Sequence, residues 1–119
     1  MDKVNLAQKL GLFSEPWSPQ IVGELNGQHV KLVKLRGEFV WHHHEHEDEL
    51  FLVLTGRLTL HLRDGSVDLG PGEFAIVPRG VEHKPEARPE AEVLLLEPAS
   101  TLNTGNLRNE RTVAEPDRI

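Results

Sequence analysis

An all-β domain is what the chain predicts, and three observations carry that reading. Between Gln20 and Leu96 apolar and polar residues recur in short runs of strand length. Glycine, proline and aspartate stand between those runs, where a chain must bend. One run, Leu50-Phe51-Leu52-Val53-Leu54, is apolar at every position, as expected of a strand covered on both faces. Short strands at this cadence form a sandwich or a barrel. At 119 residues the chain makes one domain, able to bury a core without a disulfide or a structural metal.

The elements follow in chain order. Val4, Leu6, Ala7, Leu10 and Phe13 recur at near-helical spacing, Asn5 with Gln8 resembles a capping box, and Gly11 supplies a stop, which predicts a short helix. Ser14-Glu15-Pro16-Trp17-Ser18-Pro19 reads as an extended connector, because each proline removes an amide donor and biases its predecessor away from helix. Strand runs are predicted at Gln28 to Leu35, Glu38 to His44, Glu49 to Leu54, Arg57 to Leu62, Ser66 to Leu69, Phe74 to Val77 and Glu92 to Leu96. Arg36-Gly37, Thr55-Gly56, Asp64-Gly65 and Gly70-Pro71-Gly72 are the expected turns. The outer side of Leu50 to Leu54 needs a cover, and a second subunit is the expected one, which makes the protein a homodimer. From Pro98 onward isolated apolar residues lie in a polar stretch, so an extended and only partly ordered tail is expected. The chain thus divides into a helix and connector (1–24), a β domain (25–97) and a tail (98–119).

Composition removes several function classes. There is no cysteine, so thiolate zinc sites, iron-sulfur clusters and disulfides are excluded, and His, Asp and Glu remain as strong ligands. A formal net charge of −6 without a basic cluster argues against nucleic acid. No apolar run reaches the length of a signal core or membrane span, so no membrane partner and a cytoplasmic location are expected.

Trp41-His42-His43-His44-Glu45-His46-Glu47-Asp48-Glu49 concentrates four of the seven histidines. In a strand, residues two apart share a face, so His42 and His44 can lean toward one ion while His43 points away. Glu49 opens an apolar run, where an unpaired carboxylate is costly and a divalent cation removes the cost; it is the third candidate ligand. His83 follows Pro78-Arg79-Gly80, a bend able to return a donor to the same interior, and is the fourth. His43, His46, Glu45, Glu47 and Asp48 read as a solvated loop, and His29 and His61 as surface residues. His42-His43-His44-Glu45-His46 also fits the inverted zinc-protease pattern, but that pattern needs a helix and the flanks are strand-like.

These residues resemble the cupins, a family of small β-barrels. The first cupin motif is matched by Gly37, His42-His43-His44, Glu49 and Gly56, with the gap after Gly37 one residue short. The second is matched by Gly72, Pro78-Arg79-Gly80 and His83, with Ala87 where the family usually has asparagine, a position that is not a metal ligand. The resemblance spans Gly37 to Ala87 and, with flanking strands, about residues 25 to 97. It implies a jelly-roll β-barrel, here with a short N-terminal helix and an extended C-terminal tail. It also implies a divalent metal held by His42, His44, Glu49 and His83, commonly in a homodimer. No reaction is implied, because one fold hosts many chemistries.

Three imidazoles and a carboxylate fill four positions of an octahedral ion such as Mn, Fe or Ni, with Zn a further candidate, and leave about two for other ligands. A small molecule with adjacent oxygens could chelate there, as a dioxygenase or a sugar or keto-acid isomerase requires. Glu38 and His61 are the bases the sequence offers, with no catalytic residue assigned. The alternative is a non-catalytic module that binds or senses a metal and a small ligand.

Overall fold

Six strands form one antiparallel sheet in the computed structural model, which describes residues 1–119. A short helix, α1 (Leu6–Leu10), precedes them; Asn5 caps it by accepting the Gln8 N–H at 3.0 Å, and Gly11 ends it. The strands are β1 (Gln20–Leu25), β2 (Gln28–Glu38), β3 (Glu49–Leu62), β4 (Gly65–Leu69), β5 (Phe74–Val77) and β6 (His83–Pro98). Their order is β1-β2-β6-β3-β4, and β5 pairs with the first part of β3. The chain therefore adopts the predicted all-β architecture.

Two strands are much longer than the runs predicted for them. β3 spans 14 residues and absorbs Thr55-Gly56 as a bulge, with register shifts against β6 on either side. Gly56 has φ 81°, and a Cβ there would lie 2.1 Å from the Glu90 carbonyl oxygen, so only glycine permits this approach. Arg36-Gly37 is likewise a bulge inside β2 rather than a turn. β6 spans 16 residues, and its first half falls where no strand was predicted. Pro85, Pro89 and a run of charges hide it; yet His83, Pro85 and Ala87 point inward while Lys84, Glu86 and Arg88 alternate outward. The predicted strand from Glu38 to His44 is absent. Beyond Glu38 the chain leaves the sheet, held to β6 by the Phe39 N–H donating to the Pro85 carbonyl at 2.9 Å and by His42, which exchanges two backbone hydrogen bonds with His83 at 2.9 and 3.0 Å.

Alternate residues of β2, β3 and β6 fill the core. Val33, Phe51, Val53, Leu58, Leu60 and Val93 are buried, each contributing roughly 1.5–3 kcal/mol. Within Leu50 to Leu54 only Phe51 and Val53 are buried; Leu50, Leu52 and Leu54 are half-buried on the outer side. Strand parity explains the difference from the double burial expected, since alternate residues face opposite sides. α1 shares a groove with Leu54 and Lys34. Leu50 and Leu52, paired with Ile76 and Phe74 on one side and Leu96 and Leu94 on the other, stay open.

The tail has no helix or strand beyond a single bridge near its end, but it packs on the barrel instead of straying from it. Thr101 and Thr104 are buried. Asn103 organises the segment: its Nδ2 donates to the Arg111 carbonyl at 2.7 Å and its Oδ1 accepts the Val113 N–H at 2.8 Å. The polar residues that suggested disorder thus satisfy turn backbone. At the end, Ile21 and Ile119 join β1 to the tail through backbone bonds of 2.8 and 3.0 Å, and Lys9 donates to the Ile119 carbonyl. No helix is long and apolar enough to cross a membrane.

Candidate metal centre

Glu49 is the first residue of β3 and His83 the first of β6, while His42 and His44 lie on the loop between β2 and β3. Three contacts hold that loop. The Gly80 N–H donates to the His44 carbonyl at 2.7 Å, which docks the Pro78-Arg79-Gly80 bend and brings His83 in behind it. Asp48 accepts the Arg79 N–H at 2.8 Å and is held below the usual carboxylate range, first by the Arg79 side chain and then by that backbone bond. The tail supplies the third: Asn106 exchanges two hydrogen bonds with the His43 backbone at 2.9 and 3.0 Å. Gly105, at φ 58°, lies so close that a Cβ would stand 2.2 Å from the His43 oxygen.

The four predicted residues converge. One donor atom from each of His42, His44, Glu49 and His83 lies within 4.8 Å of all the others, and all four residues are buried. Glu49 Oε1 is 3.3 Å from His44 Nε2 and 3.6 Å from His83 Nε2. Donors around an ion at roughly 2.1 Å stand about 3 to 4 Å apart, so little contraction is needed. The Nδ1 atoms of His42 and His83 donate to the carbonyls of Val40 and Val81, each at 2.9 Å, which leaves Nε2 with its lone pair. His44 Nε2, His83 Nε2 and Glu49 Oε1 are buried without hydrogen-bond partners. Orphaned buried polar atoms are costly, and three aimed at one point fit a cation.

The charges agree with that fit. Burial pushes the Glu49 carboxyl up, but the neighbouring Glu97, His44 and His83 side chains outweigh burial and hold it well below the usual range. Burial, with the charge of His83 added, lowers His42 to about 4. Between pH 6.5 and 4 the unfolded chain therefore binds a proton that the folded chain refuses. The stability His42 contributes is complete above 6.5 and lost as pH falls to 4, by about 3 kcal/mol. Urea unfolding of wild type against His42→Gln at pH 7 and pH 4 isolates the effect. Wild type should lose about 3 kcal/mol relative to the variant, and a pH-independent difference would refute it.

Two functional neighbours escaped the sequence reading. Lys31 and Glu97, each 1% exposed, form an ion pair of 2.9 Å inside the barrel. Glu97 neighbours Glu49, and its own carboxyl is raised well above the usual range by burial and by the Glu49 charge. Strand parity held the signal, since Lys31 shares a face with Val33 and Glu97 with Leu95.

The remaining histidines stand apart. His43 and His46 are not among the converging donors, and the protease pattern finds no helix there. His29, expected at the surface, is buried with Nε2 3.3 Å from Glu24. His61 bonds Glu86 at 2.7 Å and Glu38 pairs with Lys84 at 3.2 Å, both on the outer face of the sheet. Neither expected base reaches the four donors, because Leu60 and Leu62 take the inward positions beside His61.

A family model described as a cupin domain matches residues 29–97. YdbB of Bacillus subtilis (strain 168) is 36% identical over 64 residues, covering 53% of this chain and 57% of that protein. The match thus spans little more than half of that relative's length. Among solved structures, a cupin-2 domain containing protein from Shewanella frigidimarina NCIMB 400 is similar, with 44% identity, TM-score 0.79 and coverage of 80% of this chain and 93% of its own. Protein NMB1881 from Neisseria meningitidis is 32% identical with TM-score 0.75, covering 82% of this chain and 100% of its own.

Proposed function

The chain belongs to the cupin family, and we propose that it is a metal-dependent enzyme whose ion, held by His42, His44, Glu49 and His83, chelates a small oxygen-bearing substrate. The observation that carries this reading is the convergence of three orphaned buried donor atoms on one point. A divalent ion there supplies Lewis-acid polarisation of oxygens in its open positions and, if it is iron or manganese, electron transfer to O₂.

Between the two reaction types expected, the surroundings favour oxygenation. An isomerase moving a proton needs a base beside the substrate, and Glu38 and His61 are on the outer face. The test is an oxygen electrode with iron- or manganese-loaded protein and a panel of hydroxyketones and hydroxy acids. Oxygen uptake dependent on protein and substrate supports the reading. Solvent deuterium entering the substrate without oxygen uptake would replace it with isomerisation. Neither, with the ion stoichiometrically bound, would leave a binding module.

The same proposal includes a homodimer. Phe74 and Ile76 are 60% and 55% exposed beside the half-buried Leu50 and Leu52, an apolar stripe that a second copy can cover. Size-exclusion chromatography at micromolar concentration should show a dimer, reduced to a monomer by Ile76→Lys; a wild-type monomer would defeat it.

A further inference from the structure

Beside two of the four donors lies a cavity of about 40 Å³ that His42 and Glu49 help to line. Its walls are apolar, formed by Val33, Leu35, Phe51 and Leu95, and its roof is the ring pair of Trp17 and Phe39. Those rings stack with centroids 4.5 Å apart and planes 13° from parallel, and the Arg111 guanidinium lies 5.6 Å from each. Asn103 is the one polar side chain in the lining besides His42 and Glu49, and both ends of its amide are already engaged by the tail. Nothing on the walls can meet the hydroxyls of a sugar.

Trp17 is placed across this mouth at a cost. Its φ of 62° is a left-handed conformation that bulky residues rarely take. Two hydrogen bonds hold it there: its backbone N–H donates to the Lys34 carbonyl at 2.8 Å and its indole N–H to the Arg36 carbonyl at 3.0 Å. An apolar cavity of about 150 Å³ holds a benzene ring, so the present space admits only a few heavy atoms beside an ion.

We propose that Trp17 is a size-selecting gate over this cavity, and that the ligand admitted is a compact molecule, apolar apart from two neighbouring oxygens. The oxygen end rests on the metal reading above; the body and the gate rest on the cavity walls. Hydroxamates share one chelating head, so varying only their bodies tests the walls. Titration calorimetry would compare acetohydroxamate, benzohydroxamate and glycerohydroxamate on manganese-loaded wild type and Trp17→Gly, glycine being at ease at this φ.

Wild type should bind acetohydroxamate at least about tenfold more tightly than glycerohydroxamate, whose hydroxyls would be buried without partners. Trp17→Gly should tighten benzohydroxamate about tenfold or more while moving acetohydroxamate less than about threefold. If Trp17→Gly does not fold, Trp17→Phe should give a smaller gain in the same direction. Equal binding of acetohydroxamate and glycerohydroxamate, or a gate variant that shifts all three probes alike, would overturn the proposal while the metal reading stood. Absence of manganese uptake by wild type would overturn both.

Discussion

Replacing Lys31 by methionine is expected to cost about 3–5 kcal/mol of folding free energy, because it leaves two buried carboxyl groups without their cation. Glu97 accepts from Lys31 at 2.9 Å and feels the charge of Glu49, and the pair is 1% exposed, out of reach of bulk solvent. The asymmetry of buried ion pairs gives the control. Removing one partner is strongly destabilising, whereas removing both can be nearly neutral. Lys31→Met combined with Glu97→Gln keeps an N–H donor for Glu49 and should recover at least about half of the loss in urea unfolding. A double variant no more stable than Lys31→Met would show that charge pairing is not what holds these groups.

The second large effect is on the ion itself. His44→Ala removes a nitrogen donor 3.3 Å from Glu49 Oε1 and should weaken manganese or zinc binding by more than about a hundredfold. That figure is a floor, since even residues that only support metal ligands can cost ten- to a hundredfold. His46→Ala is the matched control: its side chain is 82% exposed and outside the four donors, so its affinity should equal wild type. Elemental analysis after dialysis reads both. Stoichiometric metal in His44→Ala would remove that residue from the ligand set.

The four convergent residues were legible because three independent constraints met in the sequence. Glu49 opens an apolar run, Pro78-Arg79-Gly80 bends, and His42 and His44, two residues apart, both turn inward, although from a loop and not from the strand whose parity suggested it. Local rules settled α1 too, since Asn5 and Gly11 act on neighbours only. What escaped depends on partners distant in sequence. Gly56 looks like a turn until Glu90 lies against it, and β6 looks like a loop until its prolines are seen facing inward or away from a needed donor. Trp17 gave no local sign of a left-handed backbone, which is imposed by Lys34 and Arg36 across the mouth. The tail's Asn103, Thr104 and Asn106 have the composition of a disordered segment, and only their placement against His43 and Arg111 makes them structural.

The seating of His43 on Gly105 and Asn106 joins positions 63 residues apart in the chain. Synthesis runs in one direction, so a ribosome exposes the histidine loop well before it makes the backbone that braces it. A nascent chain halted ahead of Gly105 would present imidazoles to whichever ion is nearest, on a loop still unbraced. Bracing of the histidine loop therefore waits until Gly105 and Asn106 have been made.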